Sequence, residues 1–335
     1  MKEKKCIKFI DTFVIAWNTR NATYVIGVNK VKKAQILLST YNGEKFVEQE
    51  LDSLMKQDYE NLEVLIRDDG SQDNTVSIIE EYSKQYPNIK VIKGTNKGVI
   101  ASFFELALNA SETAEFFAFC DQDDYWKPTK VSRAISLLEK EDASIPLLYF
   151  SRLDIVDDKL QFIKHSQIPP QEVGLENAII QNVATGCTIV FNKAMLKLFA
   201  SHVPAKENIT MHDAWFYLLG AAFGKLVYDK ESHLLYRQHS SNTLGMADNK
   251  VKSAMIRYKN FKKEGQEKPF TKQAEEFYRL FKEDVTNDQR KLIEDFLLKR
   301  NSFLNRFSYI MNTPLYRQNH RDTIIFKILY SFNSY

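Results

Sequence analysis

Cysteine is scarce in this 335-residue sequence: there are three, Cys6, Cys120 and Cys187, with no CxxC spacing and an odd count. That argues against a disulfide framework or a zinc site and fits a reducing, cytoplasmic compartment. Long apolar runs are also missing. No stretch reaches the roughly 18 residues of a membrane-spanning helix. The basic start "MKEKKCIKFIDTFVIAWNTR" imitates a signal peptide, but Lys8 and Asp11 interrupt its apolar part and no small-residue cleavage site follows. Residues 1–31 therefore read as an N-terminal extension. There is no internal repeat, no low-complexity segment and no nucleic-acid motif, and the net charge is only +3. Nucleic acid is not an expected partner.

What is present is a chain long enough for a sizeable core, with 44% hydrophobic and 27% charged residues, ordinary for a globular protein. Charge is unevenly placed. Residues 251–335 carry a net +7, which leaves −4 for the rest, so a catalytic body and a basic tail with a different partner are expected. Short apolar runs alternate with amphipathic ones. Strands are expected at Ala34–Ser39, Leu62–Arg67, Ile89–Lys93, Glu115–Cys120 and Pro146–Phe150, and helices at Glu44–Gln57, Thr75–Tyr86, Val99–Ala110 and from Pro128 onward. Beyond residue 150 the alternation weakens: "MHDAWFYLLGAAFG" reads as a helix, "GKLVYD" and "HLLYRQH" as two strands, and the chain from Val251 as helical. The fold class is α/β, a doubly wound, mostly parallel sheet flanked by helices with a helical C-terminal extension. In such sheets ligands bind at the carboxyl ends of the strands. The polar clusters "STYN", "DDGSQD", "TNKG" and "DQDD" follow the first four strands in turn, so four loops should converge on one edge.

The last cluster carries the chemistry. In "FAFCDQDDYWKP" a buried strand ends in Asp121, Asp123 and Asp124. Two carboxylates two residues apart can face one hard divalent cation, Mg²⁺ or Mn²⁺, shared with substrate phosphates. Capping of the helix near Pro128 competes as an explanation, and accounts for one or two aspartates rather than three. In "RDDGSQDNT", Gly70 permits a tight turn and Asp73 suits a helix cap. Asp69, at a strand end, has the chemistry to accept a hydrogen bond from a nucleobase imide or a ribose.

"ILLSTYNGE", "LIRDDGSQDNT", "NKGVIASF" and "FAFCDQDDYWKPTKV", in that order, resemble the nucleotide-sugar-binding half of a family 2 glycosyltransferase of GT-A fold. The wording "RDDGS" plus "CDQDDYW" is most similar to bacterial rhamnosyltransferases that build capsule, O-antigen or cell-wall polysaccharide. The resemblance covers roughly residues 33 to 245, within a domain placed at 32–250. It implies that Thr40, Tyr41 and Glu44 line the nucleotide pocket, Asp69 contacts the pyrimidine, Asn96 and Gly98 shape the loop near the sugar nucleotide, and Asp121 and Asp123 form the DxD, with His239 of "YRQHSSNTLG" a further metal or phosphate ligand. Asp121 then serves both donor and metal. The donor implied is dTDP-rhamnose, with a UDP-sugar as the alternative. An inverting transfer also needs a carboxylate base, and Asp213 of "MHDAWFY" takes that place, with helix capping beside His212 a compatible role. Asp154, Asp157 and Asp158 compete, but "RLDIVDDKLQF" reads as an exposed turn between strands. Gly186 and Cys187 are expected on the acceptor side, and Asp124 and Trp126 serve sugar, acceptor or only the fold.

The tail 251–335 mixes Lys and Arg with aromatics. Such helices suit peripheral binding to anionic lipid on the inner face of the membrane, where a lipid-linked glycan acceptor would sit. Packing as a cap on the domain or as a homodimer contact is the competing expectation. A haloacid-dehalogenase-type phosphohydrolase and an inactive scaffold subunit are the more distant alternatives to the transferase reading.

Overall fold

The computed structural model describes residues 31–238 and 268–335. Residues 1–30 and 239–267, and with them His239, lie outside the described residues. The apolar runs of the first half become strands and the amphipathic stretches between them become helices: β1 (Ala34–Thr40), α1 (Val47–Met55), β2 (Leu62–Asp68), α2 (Thr75–Gln85), β3 (Ile89–Lys93), α3 (Val99–Leu108) and β4 (Phe116–Asp121). There follow β5 (Tyr125–Trp126), α4 (Lys130–Leu138), β6 (Leu147–Val156), β7 (Phe162–His165), α5 (Leu175–Ala178), β8 (Val190–Asn192), α6 (Lys193–Ser201), α7 (His212–Phe223) and β9 (Lys225–Arg237). The C-terminal region supplies α8 (Pro269–Phe281), α9 (Asn287–Leu298), α10 (Phe303–Asn312) and α11 (His320–Ser331).

The strands form one sheet in the order β3-β2-β1-β4-β8-β6-β9-β5, with β7 paired to β6. β3, β2, β1 and β4 are parallel neighbours. The chain winds outward from β1 to β3, then returns to the other side of β1 to lay down β4. That reversal opens a crevice at the carboxyl ends of β1 and β4, the place where ligands enter such sheets. Register pairs Ser39 with Asp121 there. Past β4 the sheet is mixed, because β8 runs antiparallel between β4 and β6 while β9 runs parallel to β6.

Alternation along the strands divides the core. Leu37, Leu65, Phe117 and Phe119 face α3, α6 and α7, and the same core takes in Phe277, Phe281, Ile293 and Phe296 of α8 and α9. Ile36, Leu38, Val64, Ile66 and Cys120 face the buried sides of α1, α2 and α4. The first part of the basic tail is thus a cap sharing the domain's core: Trp215 lies edge-on to Phe277 with ring centroids 6.1 Å apart.

Three sequence expectations are corrected. The helix expected from Pro128 begins at Lys130. The two short strands read around residues 225–239 are one strand, β9, which follows β6 through two register shifts. Leu153–Val156, read as part of an exposed turn, are buried strand residues, because β9 and β7 pair with β6 on either side.

Gly224, between α7 and β9, is fixed by close approach: a Cβ there would stand 1.7 Å from the Pro146 carbonyl oxygen, which accepts the Lys225 N–H at 2.9 Å. Gly224→Ala is expected to cost about 1–3 kcal/mol or more. Gly174→Ala, whose new Cβ would meet only the Glu176 carboxylate at 3.4 Å, should stay within about 0.5 kcal/mol of wild type. Urea unfolding of the two variants side by side tests this, and equal stabilities would refute it.

Candidate active site

The four loops expected to converge do so, and backbone N–H groups donating to short polar side chains fasten them. After β1, the Asn42 N–H donates to Ser71 Oγ at 2.9 Å and the Gly43 N–H to Thr75 Oγ1 at 2.7 Å. Glu44 Oε2 accepts from the Asn74 N–H at 3.0 Å, and Asp73 Oδ2 accepts from the Glu44 N–H at 3.1 Å. Asp73 Oδ1 also accepts the Thr75 N–H at 3.0 Å, but Asp73 stands one residue before the cap position, which Asn74 holds without a side-chain capping bond. Gln122, between the first two carboxylates of the DQDD cluster, pairs with both backbone groups of Tyr41: its Oε1 accepts the N–H at 2.9 Å and its Nε2 donates to the carbonyl at 3.0 Å. The exposed Tyr41 ring lies on the site's rim.

The two aspartates of RDDGS have different duties. Asp68 organises its own turn, accepting from the Gly70 and Ser71 N–H groups at 3.0 and 2.8 Å, from Ser71 Oγ, and from Thr40 Oγ1 at 3.0 Å. Gly70 sits at φ +86°, and a Cβ there would meet the Asn96 N at 3.1 Å, which is why this turn takes glycine. Asp69 clamps the loop after β3: Oδ1 accepts from the Lys97 N–H at 2.9 Å and from Arg67 Nη1 at 2.6 Å, and Oδ2 accepts from the Gly98 N–H at 2.9 Å. Arg67, fully buried, also reaches Glu105 Oε2 at 2.6 Å and Ser102 Oγ at 3.1 Å. Asn96 and Gly98 stand exposed on the loop so held. The Lys97 ammonium pairs with Glu105.

At the end of β4 the carboxylates divide by depth. Asp121 and Asp123 keep access to solvent, whereas Asp124 is 1% exposed. Asp124 does not cap a helix: its Oδ1 accepts the Arg237 N–H at 3.1 Å, and its Oδ2 is buried without a hydrogen-bond partner. Ligand atoms of Asp121, Asp124 and Cys187 lie within 4.8 Å of one another. Burial first, and then the charges of Asp123 and Asp213, push the Asp121 carboxyl up to about 7. Burial and the charges of Asp123, Asp121 and Glu50 hold Asp124 well above the usual carboxylate range. Burial, with Asp124 and Asp121 adding to it, pushes the Cys187 thiol up as well. A protonated thiol is a poor partner for a hard cation, whereas the carboxylate oxygens, including the orphaned Asp124 oxygen, fit Mg²⁺ or Mn²⁺.

Asp213 comes from the first turn of α7, one residue past its start, with Met211 rather than Asp213 at the cap position. Its Oδ2 accepts the Gly186 N–H at 3.0 Å. Burial pushes it up to about 6, against hydrogen bonds from the Ala214 and Gly186 N–H groups and the Asn182 side chain. His212 beside it stacks on Phe103 with centroids 3.8 Å apart, and burial takes it down to about 3, so it is a neutral core group. The competing bases are otherwise engaged. Asp154 binds Lys127 Nζ at 2.7 Å and His165 Nδ1 at 2.6 Å, Asp157 organises its turn, and Asp158 pairs with Lys45 on the surface.

Of the residues expected near the acceptor, Gly186 lies against Asp213 through its N–H but is itself buried. Cys187, Asp124 and Trp126 are a correction: none is more than 1% exposed, so they present no surface to an acceptor. They line an interior cluster behind the carboxylate loop. Within it, Glu50 Oε1 accepts from Cys120 Sγ at 3.0 Å, and Lys130 Nζ lies 2.9 Å from the Trp126 ring centroid. Burial raises Glu50 to about 8 and lowers Lys130 to about 8. Arg237, also fully buried, ties the loop from the far side through the Asp123 carbonyl at 2.8 Å and Gln49 Oε1 at 2.8 Å. Reading the sequence missed Glu50, Arg67, Gln122 and Lys130. The signal for Glu50 was visible: it lies on the same helical face as Val47, Leu51 and Leu54.

A matching family model, Glycosyl transferase family 2, covers residues 35–199. The dTDP-rhamnosyl transferase RfbG of Shigella flexneri is 30% identical over 226 residues, 62% of this chain and 73% of that protein. The UDP-Glc:alpha-D-GlcNAc-diphosphoundecaprenol beta-1,3-glucosyltransferase WfgD of Escherichia coli is 29% identical over 174 residues, 52% of this chain and 65% of that protein. Against several other curated relatives the chain spans 58–66% of their length. Among solved structures, S. aureus TarS 1–349 in complex with UDP-GlcNAc superposes with TM-score 0.57 at 18% identity, covering 84% of this chain and 82% of that one. A mannosyltransferase from Pyrobaculum calidifontis in complex with GDP-Man and Mn²⁺ superposes with TM-score 0.51 at 12% identity, covering 91% and 86%.

The crowded carboxylates have a measurable consequence. Asp121, Glu50 and Asp124 have folded-state pKa values above their unfolded ones, so the folded protein binds more protons and its stability falls as pH rises through those values. His212 acts oppositely, but only below its ordinary value of 6.5. Without divalent metal, stability should therefore fall between about pH 6.5 and about pH 8. Asp124→Asn should be more stable than wild type at the upper end and lose less stability across the window. Chemical unfolding at the two pH values checks this; a metal-free wild type that gains stability across that window would contradict the repulsion.

Proposed function

The chain belongs to glycosyl transferase family 2 and has its GT-A-type fold, and on that premise we propose that it is an inverting transferase moving a sugar from a nucleoside diphosphate to an acceptor hydroxyl, with Asp213 as base. The observation that carries this reading is the convergence of β4 and α7: Asp213 Oδ2 accepts the Gly186 N–H at 3.0 Å, and the neighbouring Cys187 holds its Sγ within 4.8 Å of ligand oxygens of Asp121 and Asp124, although β4 and α7 are far apart in sequence. The donor-side carboxylates and the base thus share one crevice. Family membership also removes the phosphohydrolase alternative.

The donor diphosphate lies against Asp121 and Asp123, which would hold a divalent cation with Asp124 behind them. When bound, that cation neutralises charge on the departing diphosphate. Asp69 Oδ2 takes one protein hydrogen bond in the structure, which leaves it capacity toward a pyrimidine. Tyr41 and the loop of Asn96 and Gly98 bound the nucleotide side, with Glu44 holding the loop after β1 to α2; Thr40, expected there too, is only 1% exposed and spends its hydroxyl on Asp68, so it supports the pocket from beneath. His239 is the proposed further ligand, from outside the described residues. Asp213 takes the proton from the acceptor hydroxyl as its oxygen bonds to the anomeric carbon and the bond to the diphosphate oxygen breaks. A carboxyl with pKa about 6 is ionised near neutral pH and basic enough to accept that proton.

The donor proposed is dTDP-rhamnose, on the likeness to the Shigella rhamnosyl transferase, and the acceptor a growing, lipid-linked surface glycan. A UDP-sugar is the second reading, favoured by the likeness to the glucosyltransferase and to a fold crystallised with UDP-GlcNAc.

Donor screening of the purified chain with Mn²⁺ or Mg²⁺, following nucleoside diphosphate release, should give turnover with dTDP-rhamnose above UDP-sugars and loss of turnover with chelator. Failure to bind or turn over any nucleotide sugar would sink the proposal. Asp213→Asn should retain donor affinity while transfer drops by roughly 10²–10⁴-fold; normal transfer by that variant would remove Asp213 as the base.

A further inference from the structure

The tail does not behave as one unit. α8 and α9 bury their apolar sides in the domain core, and the inner sides of α10 and α11 join it through Tyr309, Ile310, Phe326 and Tyr330. α10 and α11 pack on one another through Tyr309 and Tyr330, with ring centroids 5.0 Å apart, yet both leave large apolar side chains outside. On α10 these are Phe303, Leu304, Phe307 and Met311, with Leu304 76% and Met311 64% exposed. On α11 they are Ile324 and Ile328, continued one turn later by Phe332 at 68% exposure. The i, i+4, i+8 spacing puts the last three on one helical stripe. Phe303 joins the two stripes, with its ring 6.2 Å from Phe307 and 6.0 Å from Phe332. Single exposed apolar residues need no explanation, but a joined set on two adjacent helices marks a contact surface.

Charge identifies the partner. From Phe303 to Ser331 the chain has four basic residues, Arg306, Arg317, Arg321 and Lys327, against one acidic residue, Asp322. Arg321 lies one turn before Ile324 on the same stripe, and Lys327 is half-buried beside Ile324 and Ile328, the disposition of a side chain that covers apolar surface with its stem and carries its charge to the edge. A second copy of this face would bring like charges together, which disfavours self-pairing. A surface offering both an apolar interior and negative charge suits it.

We propose that the outer face of α10 and α11 docks on an anionic lipid bilayer, with Leu304, Met311 and Ile328 entering the interfacial region and Arg321 and Lys327 meeting lipid phosphates. No helix among the described residues is long and apolar enough to cross a membrane, so the contact is with the surface. The proposal does not depend on which donor is used or on transfer itself, although a lipid-linked acceptor would be presented at the same surface.

The test is co-sedimentation of the full chain, without donor, with vesicles of phosphatidylcholine alone and of an equal mixture of phosphatidylcholine and phosphatidylglycerol. The chain should pellet with the anionic vesicles only, and less so as salt is raised. The triple variant Leu304→Ser, Met311→Ser, Ile328→Ser changes only exposed positions, and should partition at least about tenfold more weakly while keeping its far-ultraviolet circular dichroism. The double variant Arg321→Glu, Lys327→Glu should also lose binding to anionic vesicles. The proposal is overturned by a wild-type chain that stays in the supernatant, by pelleting that neither variant weakens, or by a dimer in light scattering that the triple variant dissolves while vesicle binding persists.

Discussion

Crowding of negative charge at the end of β4 is the constraint around which this structure is arranged. Asp121 and Asp123 stand beside the buried Asp124, and burial makes ionisation of Asp121, Asp124 and Asp213 harder than in water. The surroundings temper the repulsion. Lys130 lies within reach of Asp121, Asp124 and Glu50, and the Arg237 guanidinium holds the loop by the Asp123 carbonyl. These cations sit behind the loop rather than in front of it, so the open side keeps its negative field, which the proposed divalent cation would neutralise. A site built in this way is less stable empty than filled, a common trade between stability and function.

The sheet makes the crowding possible. Only where the winding reverses, between β1 and β4, do the carboxyl ends of neighbouring strands leave an open crevice. The loops that flank it are fixed by hydrogen bonds from backbone N–H groups to Asp68, Asp69, Asp73 and Gln122. These short side chains, which sequence reading takes as candidate ligands, mostly serve as fasteners, Asp69 among them, since its carboxylate holds the loop after β3. Precision of this kind is what transfer between two bound reactants requires.

The C-terminal helices extend the same division of labour. α8 and α9 complete the core beside α7, while α10 and α11 carry their apolar residues outward. Composition alone left capping, self-association and lipid binding open for the whole tail. Packing distinguishes the helices: the amphipathic face of α8 is satisfied by Trp215 and Phe223, whereas the outer stripes of α10 and α11 touch each other through Phe303 and Phe332 and otherwise stay exposed.

Much of this was determined by the sequence itself. Apolar runs of strand length, amphipathic segments between them and polar residues at each strand end are local properties, so β1 to β4, α1 to α3 and the convergence of their loops could be read directly. Asp121, Asp123 and Asp213 stood out because carboxylates at the end of a buried strand or the start of an apolar helix need a reason. Tertiary structure alone decided depth and partnership. It placed Asp124, Trp126 and Cys187 in the interior and turned Asp154 from a candidate base into an ion-pair partner. It made one strand of β9, and set Glu50 and Lys130 beneath the carboxylate loop. The physical reason is that burial, the direction of a side chain and the field it feels depend on residues distant in the chain, and no local pattern carries that information.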